Sequence, residues 1–138
     1  MTVTGELRIP SRTTAIDGAR GWVTGHLKPR GATDDAVWEI EMAVTEALAN
    51  VMKHAYGGDE TQVVDLRLRA DDEQVEIEIA DDGIPFDPAA YVPPDLDASP
   101  TGGYGVHLIE SLMDVVERRP NGERGTIIRL VKRGWREH

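Results

Sequence analysis

Glu39-Ile40-Glu41-Met42-Ala43-Val44-Thr45-Glu46-Ala47-Leu48-Ala49-Asn50-Val51-Met52-Lys53-His54-Ala55-Tyr56 reads as one helix. Val37, Ile40, Val44, Leu48, Val51 and Ala55 recur at spacings of three and four, which makes an apolar stripe. Thr33 or Asp34 supplies an N-cap oxygen, and Gly57-Gly58 stops the helix. Glu46, Asn50 and His54 are spaced four apart, so at about 100° per residue they span an arc of roughly 80°. That polar stripe borders the apolar one instead of opposing it. Two readings stand. One is a partly solvated helix face. The other is a metal and acid–base pair, with Asn50 as an oxygen ligand for a hard cation and Glu46 as a proton acceptor. His54 reads as structural, packing against or capping the helix end.

Downstream lies a hairpin. Val64, Leu66 and Leu68 alternate inward on one strand, and Val75, Ile77 and Ile79 on the next. Arg67 and Arg69 are expected to pair with Glu76 and Glu78 on the outer face. Asp81 shares the parity of Val75, Ile77 and Ile79, so its carboxylate points toward the covered face, where an unpartnered charge is costly. It either caps its own turn or awaits a ligand amino group such as that of adenine. Gly83, lacking a Cβ, would let a flat base approach the backbone.

The Pro-rich run from Asp87 to Pro100 is long for a connection and reads as a lid or a disordered segment. It leads into Thr101-Gly102-Gly103-Tyr104-Gly105-Val106, where glycines run straight into a helix with Val106, Ile109, Leu112 and Met113 inward. Glycines at a helix N-terminus expose amides and a positive dipole end, as a phosphate cradle requires; they also suit a plain flexible turn. Two further strands, Asp114–Arg119 and Gly125–Arg133, flank a turn at Pro120-Asn121-Gly122. Thr126 shares the inward parity of Ile128 and Leu130, either as a packed residue or as a ligand contact. Lys132–His138 reads as a frayed tail.

Upstream, Thr4–Ile9 reads as a short strand. Ser11–Lys28 carries a weak helical pattern (Ala15, Ile16, Ala19, Trp22, Val23, Leu27) interrupted by Gly18, Gly21 and Gly25. The 138 residues suit one domain spanning 1–138. Twenty-five acidic against 15 basic residues give a net charge of -10, which disfavours nucleic acid and anionic membrane as partners. No apolar run approaches a membrane span, and Met1–Pro10 has no signal-peptide pattern. The absence of cysteine excludes disulfides and thiolate chemistry, and suits a cytoplasmic protein.

The order of these signals is more specific than any one of them. Glu46-x-x-x-Asn50 on a helix, Asp81-x-Gly83 after a strand, a lid at about residues 87–104, Gly103-x-Gly105 opening a helix and Gly125-Thr126 on a strand together resemble the Bergerat-fold (GHKL) ATPases. The wording is similar to the branch of anti-sigma-factor serine/threonine-protein kinases, notably in Glu41–Asn50, His54-Ala55-Tyr56, Asp81–Pro88 and Gly125–Leu130. The broader superfamily has D-x-G-x-G; here Pro85 replaces the second glycine, as that branch tolerates.

The resemblance implies ATP and Mg²⁺ as ligands. Asn50 would coordinate the Mg²⁺ that bridges the phosphates, and Glu46 would act as general base. Asp81 would bind the adenine amino group, Gly83 would line the base pocket and Thr126 would sit near adenine. The amides of Gly103, Tyr104, Gly105 and Val106 would hold phosphates under the lid.

The implied fold is a two-layer α/β (α+β) sandwich, a mixed sheet of about five strands with helices on one face. The implied function is that of an ATP-dependent serine kinase and anti-sigma factor in bacterial partner switching. It would phosphorylate a small anti-sigma-factor antagonist and hold a sigma factor or other signalling target, as a homodimer. The alternative is an ATP-binding regulatory module that switches partners without chemistry.

Overall fold

The computed structural model describes residues 1–84 and 104–137, with backbone alone for 104–107. Gly103 and the greater part of the lid expected at 87–104 lie outside the described residues. So do the side chains of Tyr104 and Val106. The strands are β1 (Thr2–Pro10), β2 (Val63–Asp71), β3 (Gln74–Ala80), β4 (Val115–Pro120) and β5 (Thr126–Arg133). The helices are α1 (Ile16–Leu27), α2 (Asp34–Asn50) and α3 (Tyr104–Leu112). They cover one face of a five-stranded sheet of order β1-β2-β3-β5-β4. α1 lies over β1, while α2 reaches β5 and α3 reaches β4.

The two-layer sandwich matches the sequence reading, but the sheet is not mixed. Every ladder, β1–β2, β2–β3, β3–β5 and β4–β5, is antiparallel. The reason lies in the β4–β5 hairpin. The crossover through α3 does bring β4 back parallel to β3. The hairpin then inserts β5 between them, so the two parallel strands never pair.

α2 forms as its stripe dictates. The Thr33 hydroxyl accepts the Ala36 N–H at 3.1 Å and caps the helix. Ile40, Val44 and Leu48 are fully buried against Leu66, Leu68, Ile77 and Ile79 of the sheet layer. α1 succeeds despite its glycines because Gly18, Gly21 and Gly25 face solvent, while Ile16, Ala19, Val23 and Leu27 are buried. On α3, Ile109 and Met113 are buried as expected.

On the open sheet face the expected pairing is rearranged. Register sets Arg67 opposite Glu78 and Arg69 opposite Glu76. The ion pairs form elsewhere: Arg67 with Glu6, Glu76 with Arg129 and Glu78 with Arg119. Each acidic residue of β3 has a basic neighbour on the β5–β4 side, and it is used. Such exposed pairs contribute little individually.

The tail is not frayed over its described residues, which end at Glu137. Trp135 is wholly buried, and its indole N–H donates to the Asp71 carbonyl at 2.9 Å. Its own carbonyl accepts the Thr33 N–H at 2.9 Å. Arg136 bridges to Ala32 and pairs with Asp72 at 2.6 Å. The tail therefore ties the α1–α2 connection to the β2–β3 turn. A tryptophan body is too large and apolar to leave in water when a slot exists beside the core. Trp135→Ala is expected to lower the free energy of unfolding by about 3–5 kcal/mol. Urea denaturation measures it, and a loss below about 1 kcal/mol would show the tail to be peripheral.

Candidate functional site

α2 does not end where its α-helical pattern does. After Asn50 the backbone widens into a π turn, Val51–Ala55, closed by the Tyr56 N–H on the Val51 carbonyl at 3.0 Å. Such widened turns interrupt the α-helical ladder and are frequent at functional sites. Glu46 and Asn50 lie one helical turn apart just before it, both half-buried. Neither side chain has a hydrogen-bond partner among the described residues. His54, expected to pack or cap, is exposed on the π turn. Lys53 is exposed beside it.

The π turn meets the end of β3. The Ala55 carbonyl accepts the Ile84 N–H at 2.8 Å. A Cβ on Gly83 would fall 2.2 Å from that same oxygen. Gly83 is therefore required by the approach of α2's end, which differs from the reason expected, a base lying against it. The Tyr56 hydroxyl donates to the Val63 carbonyl at 2.7 Å and accepts the Asp82 N–H at 2.9 Å.

Asp81 is buried, at 4% exposure, as its strand parity predicts. Its carboxylate accepts the Gly83 N–H at 2.9 Å. Its backbone N–H donates to the Thr126 carbonyl at 3.0 Å, so Asp81 and Thr126 are neighbours across β3 and β5. Gly125, with φ of +87°, passes so close that a Cβ would sit 1.9 Å from the Asp81 carbonyl oxygen. Burial pushes the Asp81 carboxyl above the usual carboxylate range. Hydrogen bonds with the Gly83 and Thr126 backbone pull against the shift, and the nearby Asp82 charge adds to it.

Asp81, Gly83 and Thr126 thus form one cluster, and the π turn joins it to the helix bearing Glu46 and Asn50. α3 begins at Tyr104, so Gly105 and Val106 lie in its first turn. Tyr56 and Asn121 were given no role from the sequence, although His54-Ala55-Tyr56 was part of the resemblance. Pro120-Asn121-Gly122 had the signature of a turn and nothing more. Among the described residues no group of three or more His, Cys, Asp or Glu is placed to hold a metal. The donor set suits a cation carried mainly by a ligand's own oxygens, as Mg²⁺ is on nucleotide phosphates, with one amide oxygen from the protein. No described helix is long and apolar enough to cross a membrane.

Comparison with known proteins gives a consistent picture. Residues 9–132 match the family described as the histidine kinase-like ATPase domain. The chain is 31% identical over 138 residues to a serine-protein kinase RsbW of Staphylococcus epidermidis, covering 93% of this chain and 87% of that protein. It is 29% identical over 135 residues to serine-protein kinase RsbW of Bacillus subtilis, covering 92% and 83%. A crystal structure of the RsbU and RsbW domains of a Mycobacterium tuberculosis protein superposes with a TM-score of 0.65 at 19% identity. That match covers 95% of this chain and 32% of the larger one, and it supports the fold.

Two outcomes follow from the geometry. Gly83→Ala should destabilise the ligand-free protein by about 2 kcal/mol, because the clash is with Ala55 rather than with a ligand. Calorimetric unfolding without ligand tests this, and an unchanged stability would return Gly83 to the base-approach role. The second concerns pH. A carboxyl raised in the folded state favours folding fully below its unfolded pKa of about 3.9, and that advantage is lost as pH rises through the folded value. The difference in unfolding free energy between wild type and Asp81→Asn should therefore move in favour of wild type as pH falls from about 7 to about 4. A pH-independent difference would contradict the burial argument.

Proposed function

The chain belongs to the histidine kinase-like ATPase domain family, and from that premise we propose that it is an ATP-dependent protein serine kinase and anti-sigma factor of a bacterial partner-switching system. The observation that carries the reading is the buried Asp81, seated beside Gly83 and Thr126 and joined to the Glu46–Asn50 helix. Relatives named serine-protein kinase RsbW supply the reaction class.

In this reading Asp81 accepts a hydrogen bond from the adenine amino group, and Gly83 and Thr126 border the base. The amides of Gly103, Tyr104, Gly105 and Val106, at and before the α3 N-terminus, hold phosphate oxygens, aided by the positive end of the helix dipole. Asn50 would supply the protein oxygen to Mg²⁺, which when bound neutralises phosphate charge. Glu46 takes the proton from a serine hydroxyl of the substrate protein. That oxygen then bonds to the γ-phosphorus as the bond to ADP breaks. Phosphoryl transfer asks chiefly for such positioning and charge neutralisation.

The substrate is a small anti-sigma-factor antagonist, and the unphosphorylated antagonist competes with a sigma factor for the kinase. We place the protein in the cytoplasm and expect a homodimer. The net charge of -10 disfavours nucleic acid and anionic membranes as partners.

The test mixes the protein with Mg-ATP and candidate small antagonist proteins from neighbouring genes, and follows phosphoserine. Wild type is expected to transfer phosphate. Glu46→Gln should transfer on the order of 10²–10⁴-fold more slowly while binding ATP nearly as well. Asn50→Ala should weaken ATP binding in Mg²⁺ far more than in its absence. Nucleotide binding without transfer to any antagonist would replace the kinase with a module that switches partners without chemistry. Absence of ATP binding would overturn both readings.

A further inference from the structure

Asp81 stands where β3 has already ended. The next residues leave the ladder: β3 stops at Ala80, and the chain bends at Gly83 and Ile84. A carboxylate that recognises a base must be held in orientation by something other than its own strand. Besides Thr126, three residues from outside the Asp81–Ile84 segment hydrogen-bond to it. The Tyr56 hydroxyl accepts the Asp82 N–H at 2.9 Å. The Asn121 side-chain amide donates to the Asp81 carbonyl at 2.9 Å and to the Asp82 carboxylate at 3.3 Å. The Ala55 carbonyl takes the Ile84 N–H at 2.8 Å.

The chemistry of these contacts is one-directional. A carbonyl and a carboxylate can only accept, so the amino end of Asn121 must face them. The Asp82 N–H can only donate, so the Tyr56 hydroxyl must spend its own proton elsewhere, and it does, on the Val63 carbonyl at 2.7 Å. Burial and the nearby Asp81, Asp82 and Asp65 charges push the Tyr56 phenol up, so it remains a donor at neutral pH. The two side chains come from opposite sides of the segment. Tyr56 follows the π turn of α2, and Asn121 belongs to the β4–β5 turn.

We propose that Tyr56 and Asn121 are positioning residues that clamp the Asp81–Asp82 backbone and so determine selectivity for a base carrying an exocyclic amino group. The inference rests on the adenine-binding reading of Asp81. Neither residue touches the base. Each acts by fixing the direction of the Asp81 carboxylate, so losing either weakens recognition of the amino group and leaves the rest of the nucleotide contacts in place.

The experiment compares ATP with ITP, which carries a carbonyl where ATP has its amino group, by isothermal titration calorimetry on the full chain with Mg²⁺. Wild type should prefer ATP. Tyr56→Phe keeps the ring and removes only the hydroxyl. Asn121→Ala removes the donor, and Asn121→Asp places an acceptor against two acceptors at nearly constant size. The ATP-to-ITP preference should fall ~10-fold in Tyr56→Phe and Asn121→Ala, and further in Asn121→Asp, with ITP affinity almost unchanged. Urea unfolding of each variant is read alongside. A structural role alone would lower stability while leaving the preference intact, and that result overturns the inference. So does equal weakening of both nucleotides. If wild type itself shows no preference for ATP, the base-recognition reading of Asp81 fails instead. Tyr56→Phe keeps the test decisive if the Asn121 variants do not fold.

Discussion

One contact holds the site together: the end of α2 against the end of β3, where the Ala55 carbonyl takes the Ile84 N–H and Gly83 leaves room for it. The π turn makes the contact possible. The widened turn ends at Ala55 and is closed by the Tyr56 N–H on the Val51 carbonyl. The Ala55 carbonyl, like the last carbonyls of any helix, has no later N–H within the helix and takes that of Ile84. An irregularity of five residues thus joins an acid and an amide on a helix to a carboxylate at a strand end. Neither element alone would fix the other's distance.

Sheet topology completes the cluster from the other side. Because β5 enters between β3 and β4, its first residues lie against the last residues of β3. That is how Thr126 becomes the backbone partner of Asp81, and why residue 125 must be glycine, with positive φ and no room for a Cβ. Had β4 paired directly with β3, a different strand end would stand beside Asp81. The all-antiparallel order is therefore part of the site, not only of the fold.

Much of this was legible in the sequence, for identifiable reasons. The α2 stripe predicted Ile40, Val44 and Leu48 in the core because helical periodicity is a local property. Strand parity predicted the burial of Asp81 because a period of two leaves no freedom once Val75, Ile77 and Ile79 are inside. The spacing of the motifs gave their order but not their contacts. Strand pairing is non-local, so the insertion of β5 could not be read from the pattern. The π turn left no mark because Val51–Ala55 continues the apolar stripe. Tyr56 and Asn121 act through backbone groups, and such contacts carry no compositional signature. The tail misled because few residues follow the last strand, and position was weighed above the apolar bulk of Trp135.

The direction of one pKa shift separates Asp81 from Asp34, Asp59, Asp65 and Asp71. Asp34 is lowered first by its hydrogen bond with Lys28, and Asp65 by its hydrogen bond with Arg8. Asp59 and Asp71 are lowered by hydrogen bonds from nearby residues of their own turns. All four have found partners that favour the charged form. Asp81 is raised instead, with burial the leading cause. Its local hydrogen bonds only moderate that penalty. The surroundings are nonetheless specific: a glycine pressed against a carbonyl, another at positive φ, and two side chains gripping the backbone. Under the proposed adenine reading, this constraint would hold the carboxylate ready for a donor from outside. An amino group placed on it would favour its charged form and offset part of the cost of burying it.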